Sequence, residues 1–409
     1  MTAANTMNHL PSLSLLQSRT DRIALARQRF FEGGQAPTGV VSEAVFESWA
    51  RCLRLHGNPH ERATFQPVTA SRTQLALMKN RPLHQAWIDE VPRLEASLST
   101  SNCTAMLTDA TGVLIGSTCV GRSHEELMPV ATRIGVNLSE DAVGTTAPGV
   151  VVRTGKPVCV QGGEHFFDSV KEMHCAAAPI RDIHGRVAGV LDLSSERIPF
   201  AFDAAAVAGL FAGSIENRLL VAQSTEHLVV RFQIAHDLLD STLVGLIGVG
   251  VDGRIAWENG VARSLLGGRT LSAAQAERSP ALLLGLPWTQ LAALPVAGAA
   301  PLALPNGLQV WARAEMRAPD GRRGLVAGTS LPVAEPDPPA AAIATTELAV
   351  EALSLAADAP ANKRLRESDL DLIRTTLQAC GGNVSDAAKQ LGVSRGLIYR
   401  RLRAVRDRD

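Results

Sequence analysis

No excess of either charge marks this 409-residue chain, in which 40 Lys and Arg balance 40 Asp and Glu. That excludes a general polycation, so any nucleic-acid contact has to be local. Cysteine is sparse, with six residues at 52, 103, 119, 159, 175 and 380 and no CxxC pair, which argues against a zinc ribbon or a thioredoxin-like motif. Long apolar runs are missing too. No stretch approaches the ~18 residues of a spanning helix, and the best, Val244–Val251, is short and interrupted by glycine. The N-terminus lacks a basic segment followed by an apolar core. The expectation is a soluble, cytoplasmic protein in a reducing compartment, with no membrane contact.

What is present suits several cores. The chain is 46% hydrophobic and 20% charged, and at ~100–200 residues per domain it holds two to four domains. Residues 1–80 read as a helical region whose clearest element is the amphipathic Ala44–Leu55. Thr104–Asp109 and Val113–Ser117 read as strands around Ala110-Thr111-Gly112, and Pro157–Gln161 as another. Cys175–Arg181 and Arg186–Ser194 flank the hairpin signal Asp182-Ile183-His184-Gly185. A long helix follows from Asp203, with Val207, Leu210, Phe211, Ile215 and Leu219 at helical spacing. Strands mixed with helices imply an α+β domain over 81–222.

A second α+β unit over 223–331 is expected from strands Val244–Val251 and Arg254–Trp257, a helix Asn259–Leu266, and strands Gln309–Glu315 and Gly324–Thr329. The Ala/Leu/Pro-rich Gly267–Pro305 fits no pattern. The Pro/Ala-rich 332–362 reads as a linker.

The last unit, 363–409, carries eleven Lys/Arg against six Asp/Glu, a local +5 in a neutral chain. Leu370, Ile373 and Leu377 mark one helix face, which Gly381-Gly382 ends. Asn383, with Asp386 three residues on, is placed to start a second helix. Ala387, Ala388 and Leu391 give that helix a small apolar face, and Gly392 supplies a tight turn. Ser394 caps a third helix with Ile398, Leu402 and Val405 inward. Arg395, Tyr399, Arg400, Arg401 and Arg403 then crowd the outer surfaces. Short helices around a glycine turn, the last one basic, present a recognition helix to a major groove. The bland alternative is a basic helical hairpin used only for packing.

This segment closely resembles the C-terminal helix-turn-helix of the factor-for-inversion-stimulation (Fis) type found in nitrogen-regulatory activators. The resemblance rests on Gly382-Asn383-Val384-Ser385, Ala387-Ala388, Leu391-Gly392-Val393-Ser394-Arg395 and Tyr399-Arg400-Arg401-Leu402. It implies DNA contacts from Asn383, Ser394, Arg395, Gly396, Leu397, Tyr399, Arg400, Arg401 and Arg403. Gly396 and Leu397 stand where that family usually has two threonines, which bears on base preference. Such activators usually carry a central ATPase. The nearest stretch to its phosphate loop, Gly149–Lys156, has the wrong glycine spacing and Pro157 after the lysine, so ATP-driven promoter opening is not expected.

The order and spacing of Ser48-Trp49-Ala50-Arg51-Cys52, Gly135–Glu140, Gly144–Ala147, Gly155–Val158, Glu164-His165-Phe166, Cys175–Ile180 and Gly189–Ser194 are similar to the GAF domain of acetoin-catabolism activators. Val251–Ile255 and Asn259…Gly267 look like a PAS domain. The fold class implied is multidomain α+β: GAF-like and PAS-like α/β sensor domains followed by an all-α helix-turn-helix domain. The resemblance implies a small-molecule effector, with Asn137, Glu140, Thr146, His165, Phe166 and Cys175 as candidate contacts. Asn137 and Glu140 read equally well as helix-capping residues, and His165 as a satisfied polar residue. Cys103, Cys119 and Cys159 read as small buried apolar residues.

The residues show no nucleophile–base motif and no catalytic residues are assigned; the chain is not expected to be an enzyme or to hold a cofactor. His165, His174, Cys159 and Cys175 are the only soft-ligand cluster. Adjacent His174 and Cys175 face opposite sides of a strand, so no metal is assigned. The leading expectation is a ligand-responsive regulator that binds an inverted repeat of double-stranded DNA as a homodimer. Its partners would be RNA polymerase or a related full-length activator. The alternatives are a redox- or metal-responsive regulator, and a GAF-based signalling or methionine-sulfoxide-reducing enzyme.

Overall fold

The computed structural model describes residues 18–317 except 38, 123 and 269–278, together with 323–324 and 376. The chain divides into two units, Met1–Val333 and Ala334–Asp409. All the expected DNA contacts, Asn383 to Arg403, and the expected linker lie outside the described residues.

The described helices of ten or more residues each begin at a side-chain cap. Ser18 caps α1 (Arg19–Gly33), its Oγ accepting from the Asp21 N–H, and Gly34 in the left-handed region ends it. Ser42 caps α2 (Glu43–His56). This helix buries Val45, Ser48, Trp49 and Cys52, the i, i+3, i+4, i+7 face expected of the amphipathic Ala44–Leu55. Helices α3 (Ala70–Lys79), α4 (Arg81–Ile88) and α5 (Val91–Leu98) follow.

The first hairpin, β1 (Thr104–Asp109) and β2 (Leu114–Ser117), turns because Asp109 folds back on its own backbone. Its Oδ1 accepts from the N–H groups of Thr111 and Val113 at 2.8 and 3.0 Å. Short helices α6 (Met128–Ala131), α7 (Glu140–Val143) and α8 (Ala147–Thr154) lead to β3 (Val158–Gln161), β4 (Met173–Arg181) and β5 (Val187–Glu196). The five strands form an antiparallel sheet in the order β2-β1-β5-β4-β3. Ala105, Leu107, Ala178, Ile180, Leu191 and Leu193 face a core shared with α4, α5 and α9 (Ala204–Gln223). The alternate residues Val158, Val160, Cys175, Ala177 and Val190 face a second core shared with α2 and α8.

Helix α9 starts where expected, with Asp203 accepting from the Ala206 N–H. Of the expected apolar positions, Ile215 and Leu219 are buried in the core and Val207 and Phe211 pack against it, whereas Leu210 does not. Leu210 is 53% exposed, and the buried side is built from Ala204, Ala208, Ala212, Ile215 and Leu219. Alanines let the helix lie close to the sheet, which displaces the larger Leu210 outward. The estimate of apolar run length also needs correction. Among the described residues one helix, α9, is long and apolar enough to cross a membrane. It packs against β4, β5 and α4.

The second sheet is antiparallel as well. It orders β11 (Arg323–Gly324), β10 (Gln309–Arg317), β6 (Leu228–Gln233), β7 (Gly245–Val249) and β8 (Ile255–Glu258), with β9 (Ala300–Ala303) paired to β10. Asn259 caps α10 (Gly260–Leu265), as expected. Central strand β6 was not expected. Nor were α11 (Pro280–Leu284), α12 (Trp288–Ala292) and β9, which occupy part of the stretch that fitted no pattern.

Candidate functional site

The face of the first sheet turned away from α9 carries an unusual polar row. Cross-strand register places Ser194 between Thr104 and Cys175, and Asp192 between Met106 and Ala177. Asp192 is completely buried. The Ser194 hydroxyl donates to its Oδ2 at 2.6 Å and lies 3.1 Å from the Cys175 sulfur. Asp192 Oδ1 is buried without a hydrogen-bond partner. Burial pushes the Asp192 carboxyl up to about 7 against the single restraining bond from Ser194. Burial, with Asp192 beside it, also raises the Cys175 thiol well above its ordinary range. Cys175 is therefore a neutral thiol, not a reactive thiolate.

A second orphaned polar atom belongs to another residue of the same neighbourhood. His165, 1% exposed, lies 3.0 Å through Nδ1 from the Gly162 carbonyl. That contact puts the proton on Nδ1 and leaves Nε2 as an acceptor, and Nε2 is buried without a partner. Burial holds the ring down at about 4, so it is neutral. His165, Asp192, Ser194, Cys175 and Thr146 share the lining of a cavity of about 30 Å³ with Phe65, Met106, Leu138 and other apolar side chains. The free volume suits one or two waters. Buried polar groups are nearly always bonded, yet two residues of this one lining, Asp192 and His165, each hold an unbonded polar atom.

The loop that delivers His165 is tied down from far away in sequence. Arg27 of α1, 5% exposed, donates to the carbonyls of His165 at 2.5 Å and of Phe166, and pairs with Asp168 at 2.7 Å. Trp49 of α2 donates to the Glu164 carbonyl at 2.6 Å. Asp168 is partly buried, yet hydrogen bonds from Lys171, His60 and Arg27 hold its carboxyl down at about 2. Gly144 has φ +70°, and a Cβ there would sit 2.9 Å from Phe166 Cβ, so only glycine lets the loop pass.

Of the six candidate contacts, the structure brings Thr146, His165 and Cys175 together on the cavity. The other three lie off its lining. Asn137 accepts from the Ser139 N–H within its own turn. Glu140 is buried and takes a two-pronged bond from Arg51, both at 2.8 Å. Phe166 is in the second core, edge-on to Phe31 and Phe167. His174 and Cys159 are not on the cavity either; His174 meets Phe200 edge-on. No group of three His, Cys, Asp or Glu side chains suited to a metal occurs among the described residues. Asp192 and Ser194 were missed as site residues. The available signal was a carboxylate inside the apolar run Val190-Leu191-Asp192-Leu193.

Phe65 lines both this cavity and a surface groove formed by 62–67 with Glu126, Leu127, Val130 and Arg133.

The class of protein is given by two family models, which match this chain segment by segment. Residues 19–214 match the MimR N-terminal domain, and 364–404 match the bacterial regulatory proteins of the Fis family. The chain thus carries a MimR-type sensor domain and a Fis-type helix-turn-helix, the parts of a DNA-binding protein of transcription regulation. The acetoin catabolism regulatory protein of Cupriavidus necator is 27% identical over 56% of this chain and 35% of its own length. The propane 2-monooxygenase operon transcriptional activator MimR of Mycolicibacterium smegmatis is 29% identical over 47% of this chain and 32% of its own. The acetoin dehydrogenase operon activator AcoR of Bacillus subtilis is 29% identical over 41% and 28%. The chain therefore spans about a third of the length of the curated relatives it matches. The E. coli DhaR(N)–DhaL complex superimposes with a TM-score of 0.41 at 15% identity, covering 67% of this chain and 99% of that one.

Proposed function

We propose that the protein is a ligand-responsive DNA-binding transcriptional regulator whose effector enters the Asp192–His165 cavity. The observation that carries this reading is that two residues lining one small cavity, Asp192 and His165, each hold a buried polar atom without a hydrogen-bond partner. His165 Nε2 accepts a hydrogen bond. Asp192, titrating near 7, accepts one when ionised and donates one when protonated. A compact uncharged molecule with a hydroxyl, a carbonyl or both satisfies them, and one of three or four carbons requires the apolar walls to part on binding, because the free volume is about 30 Å³. Relatives named for acetoin, propane and glycerol operons agree with an effector of that size.

On this reading, 81–222 is a GAF-like sensor and 223–331 a PAS-like domain, and the protein acts in the cytoplasm. One helix-turn-helix touches too few bases for useful specificity, so a homodimer on an inverted repeat is proposed. It would recruit or block RNA polymerase, or act through a related activator, without ATP hydrolysis by the residues of this chain. Arg400 and Arg401 contact phosphates. Leu397 packs on a thymine methyl, and Gly396 lets the backbone approach the groove. Asn383, Ser394, Arg395, Tyr399 and Arg403 complete the contact set.

Arg401→Ala is expected to weaken all DNA sequences about equally and to reduce the salt slope by about one unit. Relaxed preference at a single base pair would instead assign it a base. The effector half is tested by calorimetry of the full chain against three- and four-carbon alcohols, ketones and hydroxyketones, with Asp192→Ala as the control. Absence of saturable binding across that panel would overturn the reading.

A further inference from the structure

Strands β6 and β10 lie side by side, and their odd-numbered residues point away from the core formed by Val230, Phe232, Ala312 and Ala314. On that outer face Arg231 stands directly opposite Arg313. Like charges in directly opposed positions repel, and here one of the two is largely buried. The Arg231 side chain is 23% exposed, and among the described residues its nearest carboxylate is Glu315 Oε1 at 3.9 Å, too long for a hydrogen bond. Burial, together with Arg313 and Arg317 nearby, outweighs Glu315 and lowers the affinity of this guanidinium for its proton. Guanidinium stays charged in proteins, so the charge is held at a cost that Glu315 and Asp240 offset only in part.

Arg313 is differently served. It makes a two-pronged bond to Asp240, whose side chain is 78% exposed on the loop after β6. Arg231, Arg313, Asp240, Glu315, Val296 and Ala314 line a polar cleft of about 220 Å³. Asp240 therefore already shows, from inside the chain, how a carboxylate seats on this face.

We propose that this cleft is a second small-molecule site, which binds a small organic carboxylate between Arg231 and Arg313 in competition with Asp240. Two convergent guanidinium forks select planar carboxylates through paired N–H···O bonds, which a point charge such as chloride cannot match. The incoming carboxylate supplies the close acceptor that Arg231 lacks and takes over Arg313, and Asp240 swings into solvent, where it is well hydrated. The displaced loop continues to Thr242, whose carbonyl accepts from Asn217 of α9 at 3.0 Å. Occupation of the cleft therefore loosens one attachment of α9, the helix that packs behind the sheet bearing Asp192.

Succinate is the probe, titrated into the full chain by calorimetry, with chloride at matched ionic strength as reference. Saturable one-to-one binding is expected, weakened at least tenfold by Arg231→Gln. Asp240→Asn, which removes the internal competitor, is expected to tighten it several-fold. A nonspecific response to anions would rise with Asp240→Asn for chloride as much as for succinate. Succinate heats no different from those of chloride would overturn the proposal, as would binding that survives Arg231→Gln unchanged. Should Arg231→Gln melt abnormally, the Asp240→Asn result decides alone: unchanged or weaker binding refutes the site.

Discussion

Arg27→Ala is expected to destabilise the protein by about 3 kcal/mol, because it removes a buried charge that serves several buried groups. The guanidinium holds the carbonyls of His165 and Phe166, pairs with Asp168, and lies 4.7 Å from the Phe31 ring centre. Without it, two buried carbonyls lose their donor, and Asp168 keeps only Lys171 and His60. Thermal unfolding of wild type and variant measures this. The loop also positions His165, so effector affinity is expected to fall further than in a variant of equal stability altered elsewhere. A melting point within a degree of wild type would show that the loop is held by other contacts.

The second large effect is a pH dependence centred on the cavity. Asp192 ionises near 7 in the folded protein and near 4 when unfolded. Its raised value means that the folded state keeps the proton longer. The associated stability is intact below pH 4, fades as pH rises, and is gone above 7, a loss on the order of 3–4 kcal/mol. His165 works in the opposite sense. Its value is lowered to about 4, so its contribution is present above about 6.5 and is lost as pH falls toward 4. In the wild type the two slopes largely oppose each other between pH 4 and 6.5. Asp192→Asn removes one of them. The variant is expected to gain stability relative to wild type as pH rises from 5 to 8, and to lose stability more steeply than wild type on acidification. Equal differences in melting temperature at pH 5 and pH 8 would show that Asp192 titrates normally.

Much of this was legible in the sequence, for identifiable reasons. Helix α2 and the hairpins β1–β2 and β4–β5 follow period and turn chemistry, which act over a few residues. The Fis-type segment carries its caps, glycine turn and arginines within 45 residues, and it is matched at 364–404. Strand β6 was hidden because Leu228–Gln233 begins soon after α9 ends, with no glycine or proline between them. The apolar face of α9 was legible at Val207, Phe211, Ile215 and Leu219 and departs only at Leu210, where close packing favoured the neighbouring alanines. The cavity was half legible. Thr146, His165 and Cys175 were found by resemblance, whereas Asp192 looks like an ordinary residue of a strand until register puts it between Met106 and Ala177. Arg27 gave no signal at all, because its partners lie about 140 residues away.

The central claim is that a small polar molecule in the Asp192–His165 cavity changes the affinity of the same chain for DNA. Fluorescence anisotropy of the full chain on an operator selected in vitro, with and without saturating effector, tests it most directly. The effector is the best binder of the alcohol, ketone and hydroxyketone panel. The expected result is a shift in operator affinity of at least fivefold, absent in Asp192→Ala, with DNA affinity unchanged when no effector is added. An effector that binds by calorimetry yet leaves operator affinity and occupancy unchanged would contradict the account.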